Sequence, residues 1–133
     1  MYTAIVLTEK DRTRILENVS EGPHGWEVMC HHVTINMGRH KDGPMADVPL
    51  GTEFTFWISY RSQYKNKVSA VRVLNGEFKS DIKVPHITIA VNRENGGKPN
   101  DSNLIENWSS GSTIKVSGHL REVNSEQHHK EKR

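Results

Sequence analysis

Two segments of the chain share one design, and this repeat is the strongest constraint that the sequence places on the fold. In residues 28–37 the side chains alternate with the period of two residues that is typical of a β-strand. His32 and Thr34 lie on one face of this strand, and Val33 and Ile35 lie on the other. Because the aliphatic face must be buried, the sequence predicts a half-buried strand whose opposite face lines a polar cleft.

The second segment, residues 84–91, repeats this arrangement. His86 and Thr88 share one face of the predicted strand, and Ile87 and Ile89 share the other. Two copies of His-x-Thr, each opposite an aliphatic face, predict two strands whose polar faces meet over a common site.

The residue types of this predicted site suit the opening of a phosphodiester. One group must take a proton from the attacking water, and another must give a proton to the departing oxygen. Histidine suits both tasks because its ordinary pKa is about 6.5, so His32 and His86 are the candidate acid and base. The hydroxyls of Thr34 and Thr88 can donate to the phosphate oxygens and stabilise the charge that develops there. This scheme requires no metal ion and no other cofactor.

The remaining pattern predicts an α+β fold around an antiparallel sheet. Thr8 is the predicted cap of the first helix, and Asp11 is predicted to complete a capping box. Alternation, apolar spacing and turn residues predict strands at 2–7, 28–37, 53–60, 67–74, 84–91 and 113–123, and helices at 9–19 and 102–108.

Length and charge limit the class of protein. The chain has 133 residues, which predicts one domain over 1–123 followed by a polar tail at 124–133. The net charge of +2 is too small for wrapping a long polyanion, and favours a small phosphorylated substrate or an RNA end. The beginning of the chain lacks the pattern of a signal peptide, and no apolar stretch reaches the roughly 20 residues of a membrane span. We therefore expect a soluble, cytoplasmic protein.

Four further residues are candidates for contact with substrate. Arg72 lies between apolar neighbours and needs an anionic partner, which can be a phosphate or a carboxylate such as that of Glu53. Trp57 can stack on a base, although an aromatic residue is a core residue by default. Lys98 and Ser102 follow the second motif, where they can contact substrate or simply face solvent.

A metal site is the alternative for the residues around the first motif. His24, Cys30, His31 and His32 are close in sequence, but their spacing matches no zinc pattern. In a regular strand Cys30 and His31 point to opposite faces, as do His31 and His32. We therefore predict no metal site, and we predict that Cys30 is a small buried residue.

Paired His-x-Thr motifs on strands resemble those of the 2H phosphoesterase superfamily. The cyclic phosphodiesterase domain of fungal-type tRNA ligases is more closely similar, because it has counterparts of Val-Pro-His-Ile-Thr-Ile at 84–89 and of Lys-Pro-Asn-Asp-Ser-Asn at 98–103. The resemblance covers residues 2–123. It implies two antiparallel sheet halves around a central cleft, with one or two helices. It also implies metal-independent hydrolysis of a 2′,3′-cyclic phosphate on an RNA end or nucleotide by the four motif residues.

Three alternatives remain open from the sequence. Compact phage 2H enzymes that degrade cyclic-oligonucleotide defence signals carry the same motifs. A 2H-like module can also bind a cyclic nucleotide or an RNA end without cutting it. A structural domain with two coincidental motifs would leave the four residues apart in space. The chain is short for the superfamily, and its two motifs are close together in sequence.

Overall fold

The structure is a computed structural model that describes residues 1–19 and 23–124. It confirms the predicted α+β class with an antiparallel sheet. One α-helix, α1 (Glu9–Val19), follows the first strand. The strands are β1 (Tyr2–Leu7), β2 (Glu27–Val28), β3 (His32–Asn36), β4 (Glu53–Ser59), β5 (Ser62–Tyr64), β6 (Val68–Leu74), β7 (His86–Val91) and β8 (Ser112–Val123). All but the first residue of the predicted polar tail, 124–133, lies outside the described residues.

The eight strands form one antiparallel sheet in the order β2-β7-β3-β1-β8-β4-β6-β5. A further pairing between β7 and β6 closes this sheet on itself. The family resemblance implies two sheet halves, whereas hydrogen bonds join the eight strands in one sheet. The two motif strands, β3 and β7, are neighbours.

The register between the motif strands relates the two motifs to each other. Val33 of β3 pairs with Ile87 of β7 in antiparallel orientation. In an antiparallel pair of this register, His32 therefore lies opposite Thr88, and Thr34 lies opposite His86. Each histidine faces the threonine of the other motif.

The aliphatic faces of the motif strands form the centre of the core, as the sequence predicted. Val33, Ile35, Ile87 and Ile89 have no solvent exposure. They belong to one cluster of buried side chains that also includes Ile15 of α1. Because these residues alternate with the motif residues, their burial fixes the direction in which the histidines and threonines point.

The start of α1 is capped in a way that the sequence predicted only in part. The hydroxyl of Thr8 accepts a hydrogen bond from the backbone N–H of Asp11 at 3.2 Å. The prediction of a capping box is wrong, because the Thr8 N–H donates to the carbonyl of Ser117 and not to the Asp11 side chain. The Asp11 carboxylate instead accepts from the Ser117 N–H at 2.7 Å. This pair of bonds ties the helix start to β8.

Two of the predicted elements differ from the structure by more than one or two residues at an end. The predicted strand at 28–37 is divided into β2 and β3, because Cys30 has a φ of 48°, which interrupts strand geometry. The predicted helix at 102–108 is instead a 3₁₀ helix at Pro99–Leu104. Proline fits the first turn of such a helix, since it has no N–H to leave unpaired.

No helix within the described ranges combines the length and the apolar character needed to cross a membrane.

Candidate active site

The side chains of both motifs line one cavity of about 340 Å³. His32 and Thr34 reach it from β3, and His86 and Thr88 reach it from β7. All four are partly exposed, in contrast to the fully buried residues with which they alternate. The four residues therefore meet in space, which a pair of coincidental motifs would not require.

His86 is held by hydrogen bonds at both ring nitrogens. Its Nδ1 lies 2.6 Å from the carbonyl oxygen of Val84, and its Nε2 lies 2.8 Å from the Oγ of Ser102. The Trp108 ring lies beside the imidazole, with 5.5 Å between the ring centroids. Burial lowers the pKa of His86 from its ordinary value, and the bond to the Val84 carbonyl opposes this shift in part. The neutral imidazole is therefore the favoured form near neutral pH.

Ser102 joins the two residues of the second motif. Its Oγ lies 3.0 Å from the Oγ1 of Thr88, 2.8 Å from the Nε2 of His86 and 2.7 Å from the carbonyl oxygen of Pro99. Ser102 is only 1% exposed, yet it contributes to the cavity wall. Of the four predicted substrate contacts, it is the one that contributes to the cavity wall.

The loop after β7 positions this serine. At Gly97 an added Cβ would collide with the carbonyl oxygen of Lys67, so the chain can pass so close to its neighbour only with glycine at this position. The Asp101 carboxylate then accepts from the Lys98 backbone N–H at 3.0 Å. These constraints fix the start of the 3₁₀ helix that carries Ser102.

His32 has an aromatic and an imidazole neighbour that the sequence did not predict. Its ring centroid lies 4.8 Å from that of Tyr2, and its Nδ1 lies 2.9 Å from the Nδ1 of His31. At this distance one of the two nitrogens carries the proton of a hydrogen bond. The prediction that His31 points away from His32 is wrong. Strand geometry begins only at His32, after the left-handed backbone at Cys30.

Arg72 lies next to His86 but outside the cavity wall. The two residues are partners in the pairing of β6 with β7. An Arg72 Nη2 donates to the Ser109 carbonyl at 3.3 Å. Glu53, the carboxylate considered as a partner from the sequence, instead lies 3.8 Å from His119.

The structure does not bring Trp57 or Lys98 to the cavity. Trp57 is 38% exposed on β4 and pairs with Leu74 and Lys115. The Lys98 side chain is exposed at the end of the loop after β7. Neither residue belongs to the cavity wall.

Within residues 1–19 and 23–124, no three His, Cys, Asp or Glu side chains come together in a way that could hold a metal ion. His31 and His32 are adjacent, but Cys30 is fully buried and does not contribute to the cavity wall.

Cys30 is expected to resist thiol reagents in the folded protein. Burial raises the pKa of its thiol to about 12, although the charge of Arg12 opposes this shift. Since the thiolate is the nucleophile, we expect negligible reaction with a disulfide reagent at pH 8. One equivalent should react after denaturation in guanidinium. Rapid reaction of the native protein would contradict the described burial.

The lowered pKa of His86 also predicts a pH dependence of stability. The unfolded chain, in which the histidine pKa is about 6.5, takes up a proton before the folded protein does. The contribution of His86 to the free energy of unfolding is therefore complete above about pH 6.5 and is lost as the pH falls towards the lower folded pKa. Urea unfolding at a series of pH values should show that, as the pH falls, the free energy of unfolding decreases less in His86→Asn than in the wild type. Exposed His24→Asn should match the wild type, and equal pH dependence in all three proteins would exclude this assignment.

Comparisons with protein-family models, with curated proteins and with solved structures give no match to this chain.

Proposed function

We propose that the chain is a metal-independent phosphodiesterase of the two-histidine type. The proposed substrate is a 2′,3′-cyclic phosphate at an RNA end or in a nucleotide. One observation carries the proposal: two identical His-x-Thr motifs, on neighbouring antiparallel strands, line the same cavity. Each motif supplies one group that can transfer a proton and one hydroxyl that can donate to an oxyanion.

The proposed reaction follows from these four side chains. A water attacks phosphorus and loses a proton to one histidine, while the other histidine gives a proton to the 2′ or 3′ oxygen that leaves. The new P–O bond forms as the ring P–O bond breaks, so the product is a phosphate monoester. Thr34 and Thr88 donate to the non-bridging oxygens, where negative charge increases in the transition state.

The size and the lining of the cavity support a nucleotide as the substrate. A volume of about 340 Å³ lies in the range of roughly 300–1,000 Å³ that is usual for small-molecule sites. Beside the motif residues, its wall includes the apolar side chains of Met29, Ile82 and Pro99 and the ring of Tyr2. Aromatic and apolar surfaces of this kind accept a nucleobase.

A substrate panel in the presence of EDTA tests this function. The panel contains 2′,3′-cyclic mononucleotides, an RNA with a 2′,3′-cyclic phosphate end, and cyclic di- and trinucleotides. We expect cleavage of a 2′,3′-cyclic phosphate by the wild type and by His24→Ala, whose histidine is exposed, and loss of cleavage in His32→Ala.

The other outcomes distinguish the alternatives. Cleavage of the cyclic oligonucleotides alone would assign the site to degradation of defence signals, as in the phage enzymes with these motifs. Tight binding of one ligand without any product would make the domain a sequestering module. Cleavage that His32→Ala retains would contradict the two-histidine mechanism.

A further inference from the structure

The Ser102 hydroxyl lies at the point where the hydrogen bonds of the second motif meet. Its Oγ contacts His86 Nε2 at 2.8 Å, Thr88 Oγ1 at 3.0 Å and the Pro99 carbonyl at 2.7 Å. A hydroxyl has one proton to donate and two lone pairs to accept with. With three partners and its own Cβ, the oxygen uses all four tetrahedral directions. Each change in the protonation of His86 must therefore change the partner to which Ser102 donates.

His86 has only one nitrogen that can titrate in this arrangement. The Val84 carbonyl, 2.6 Å from Nδ1, accepts hydrogen bonds and cannot donate them, so Nδ1 carries a proton in both forms. In the neutral form Ser102 donates its proton to Nε2. In the charged form Nε2 donates to Ser102, whose hydroxyl proton turns to the Pro99 carbonyl. In the charged form all three contacts of Ser102 carry a hydrogen bond, whereas in the neutral form the contact with the Pro99 carbonyl carries none.

We propose that Ser102 is a proton relay between the attacking water and His86, which makes His86 the base of the pair and leaves His32 as the acid. This inference rests on the proposed function. When Thr88 turns its hydroxyl to a phosphate oxygen, the longest of the three contacts of Ser102 is released, and the attacking water can take its place.

The proton transfers balance in this scheme. The water oxygen forms the bond to phosphorus with an electron pair and gives its proton to Ser102. The proton that Ser102 already carried passes to Nε2 of His86. The leaving 2′ or 3′ oxygen takes the electron pair of the broken P–O bond and receives a proton from His32.

The surroundings of the two histidines differ in the sense that this scheme requires. His32 contacts a second imidazole, since the two Nδ1 atoms of His31 and His32 are 2.9 Å apart. An imidazolium that donates to a neutral imidazole forms a charge-assisted hydrogen bond, which favours the protonated form that an acid needs. His86 instead lies against the Trp108 ring, and its partners are a carbonyl and a hydroxyl.

The two ring nitrogens of His86 contact Val84 and Ser102 and not a charged side chain. Arg72 is the partner of His86 in the pairing of β6 with β7, and its Nη2 donates to the Ser109 carbonyl. On the 3₁₀ helix, the Asp101 carboxylate is held by the Lys98 N–H. Across the cavity His32 is the titratable group on β3. Burial lowers the pKa of His86, which agrees with its assignment as the base.

Two variants of Ser102 test the relay in the full chain. Ser102→Ala removes the hydroxyl, and Ser102→Cys keeps nearly the same shape but has only a weak donor and acceptor. For both variants we expect kcat to fall about 10²-fold, because the positioned proton transfer is lost, while KM stays within about twofold. Ser110→Ala removes an exposed serine of the same region and should leave kcat unchanged. Circular dichroism establishes that each variant is folded.

A second readout requires no turnover. A ¹⁵N NMR titration of the His86 ring without substrate should show a lower pKa in both Ser102 variants than in the wild type. The charged ring loses the acceptor for its Nε2–H, and bonds to charged groups are the stronger ones. Ser110→Ala should titrate as the wild type does.

The outcomes separate failure of the relay from failure of the proposed function. If Ser102→Ala and Ser102→Cys keep wild-type kcat, or lower kcat without moving the His86 titration, the relay is overturned and the phosphodiesterase stands. If the wild type cleaves no member of the substrate panel, the proposed function fails and the relay fails with it. Loss of kcat together with a lower His86 pKa, in both variants, supports the relay.

Discussion

Replacement of His86 or His32 with alanine is expected to lower kcat by roughly 10²–10⁴-fold, since each variant removes one of the two proton transfers. The fold should survive, because both side chains are partly exposed at the cavity and lie outside the buried cluster that stabilises the sheet. Steady-state kinetics on the best substrate of the panel gives kcat and KM, and circular dichroism gives the fold.

A histidine outside the cavity provides the control for these variants. His24 is exposed in a turn, and His24→Ala should retain wild-type kcat. If either His32→Ala or His86→Ala also retains wild-type kcat while folded, that histidine is not part of the chemistry.

Replacement of Phe56 with alanine is expected to lower the free energy of unfolding by about 3–5 kcal/mol, the usual range for a fully buried aromatic residue. Phe56 is 1% exposed, and its ring packs against that of Phe78, with 5.7 Å between the centroids and an angle of 74°. Its loss would leave a cavity under β4 that the closed sheet cannot easily collapse to fill. Urea unfolding followed by circular dichroism measures the change.

The adjacent residue of the same strand is the control for the core. Trp57 points the opposite way and is 38% exposed, so Trp57→Ala should cost much less stability than Phe56→Ala. Because Trp57 lies outside the cavity, its replacement should also leave kcat unchanged. A loss for Trp57→Ala equal to that for Phe56→Ala would contradict the described orientation of β4.

The sequence predicted those elements in which a local pattern and the tertiary fold agree. The strand Tyr2–Leu7 and the helix Glu9–Val19 have the predicted bounds. The faces of both motif strands were also predicted, because period-two alternation places valine and isoleucine in the core, as at Val33 and Ile87. Once those faces are buried on neighbouring strands, the histidines and threonines between them must share a surface.

The parts that sequence could not predict depend on backbone irregularity or on non-local contacts. The left-handed conformation at Cys30 turns His31 into the cavity, and no residue preference signals it, since non-glycine residues seldom adopt a positive φ. Ser102 was a candidate for contact with substrate, but its contact with His86 could not be predicted, because a short 3₁₀ helix positions it. The contact of Tyr2 with His32 joins β1 to β3, two strands that are separated in sequence by α1.

The register of the motif strands gives the site an approximate twofold arrangement. Val33 and Ile87 pair at its centre, and the two motifs run in opposite directions from them. A phosphate between His32 and His86 would therefore meet an acid or base on each side, as an in-line displacement requires. The different partners of the two histidines, an imidazole and a hydroxyl, break this symmetry and allow different roles.

The most direct test of a shared phosphate site is the kcat of the double variant His32→Ala/His86→Ala, compared with the two single variants. Residues that act as one unit on the same phosphate have non-additive effects. We predict that the double variant loses about as much activity as the more damaged of the two single variants. If the two losses instead multiply fully, the histidines act independently, and the claim that both motifs serve one phosphate site is contradicted.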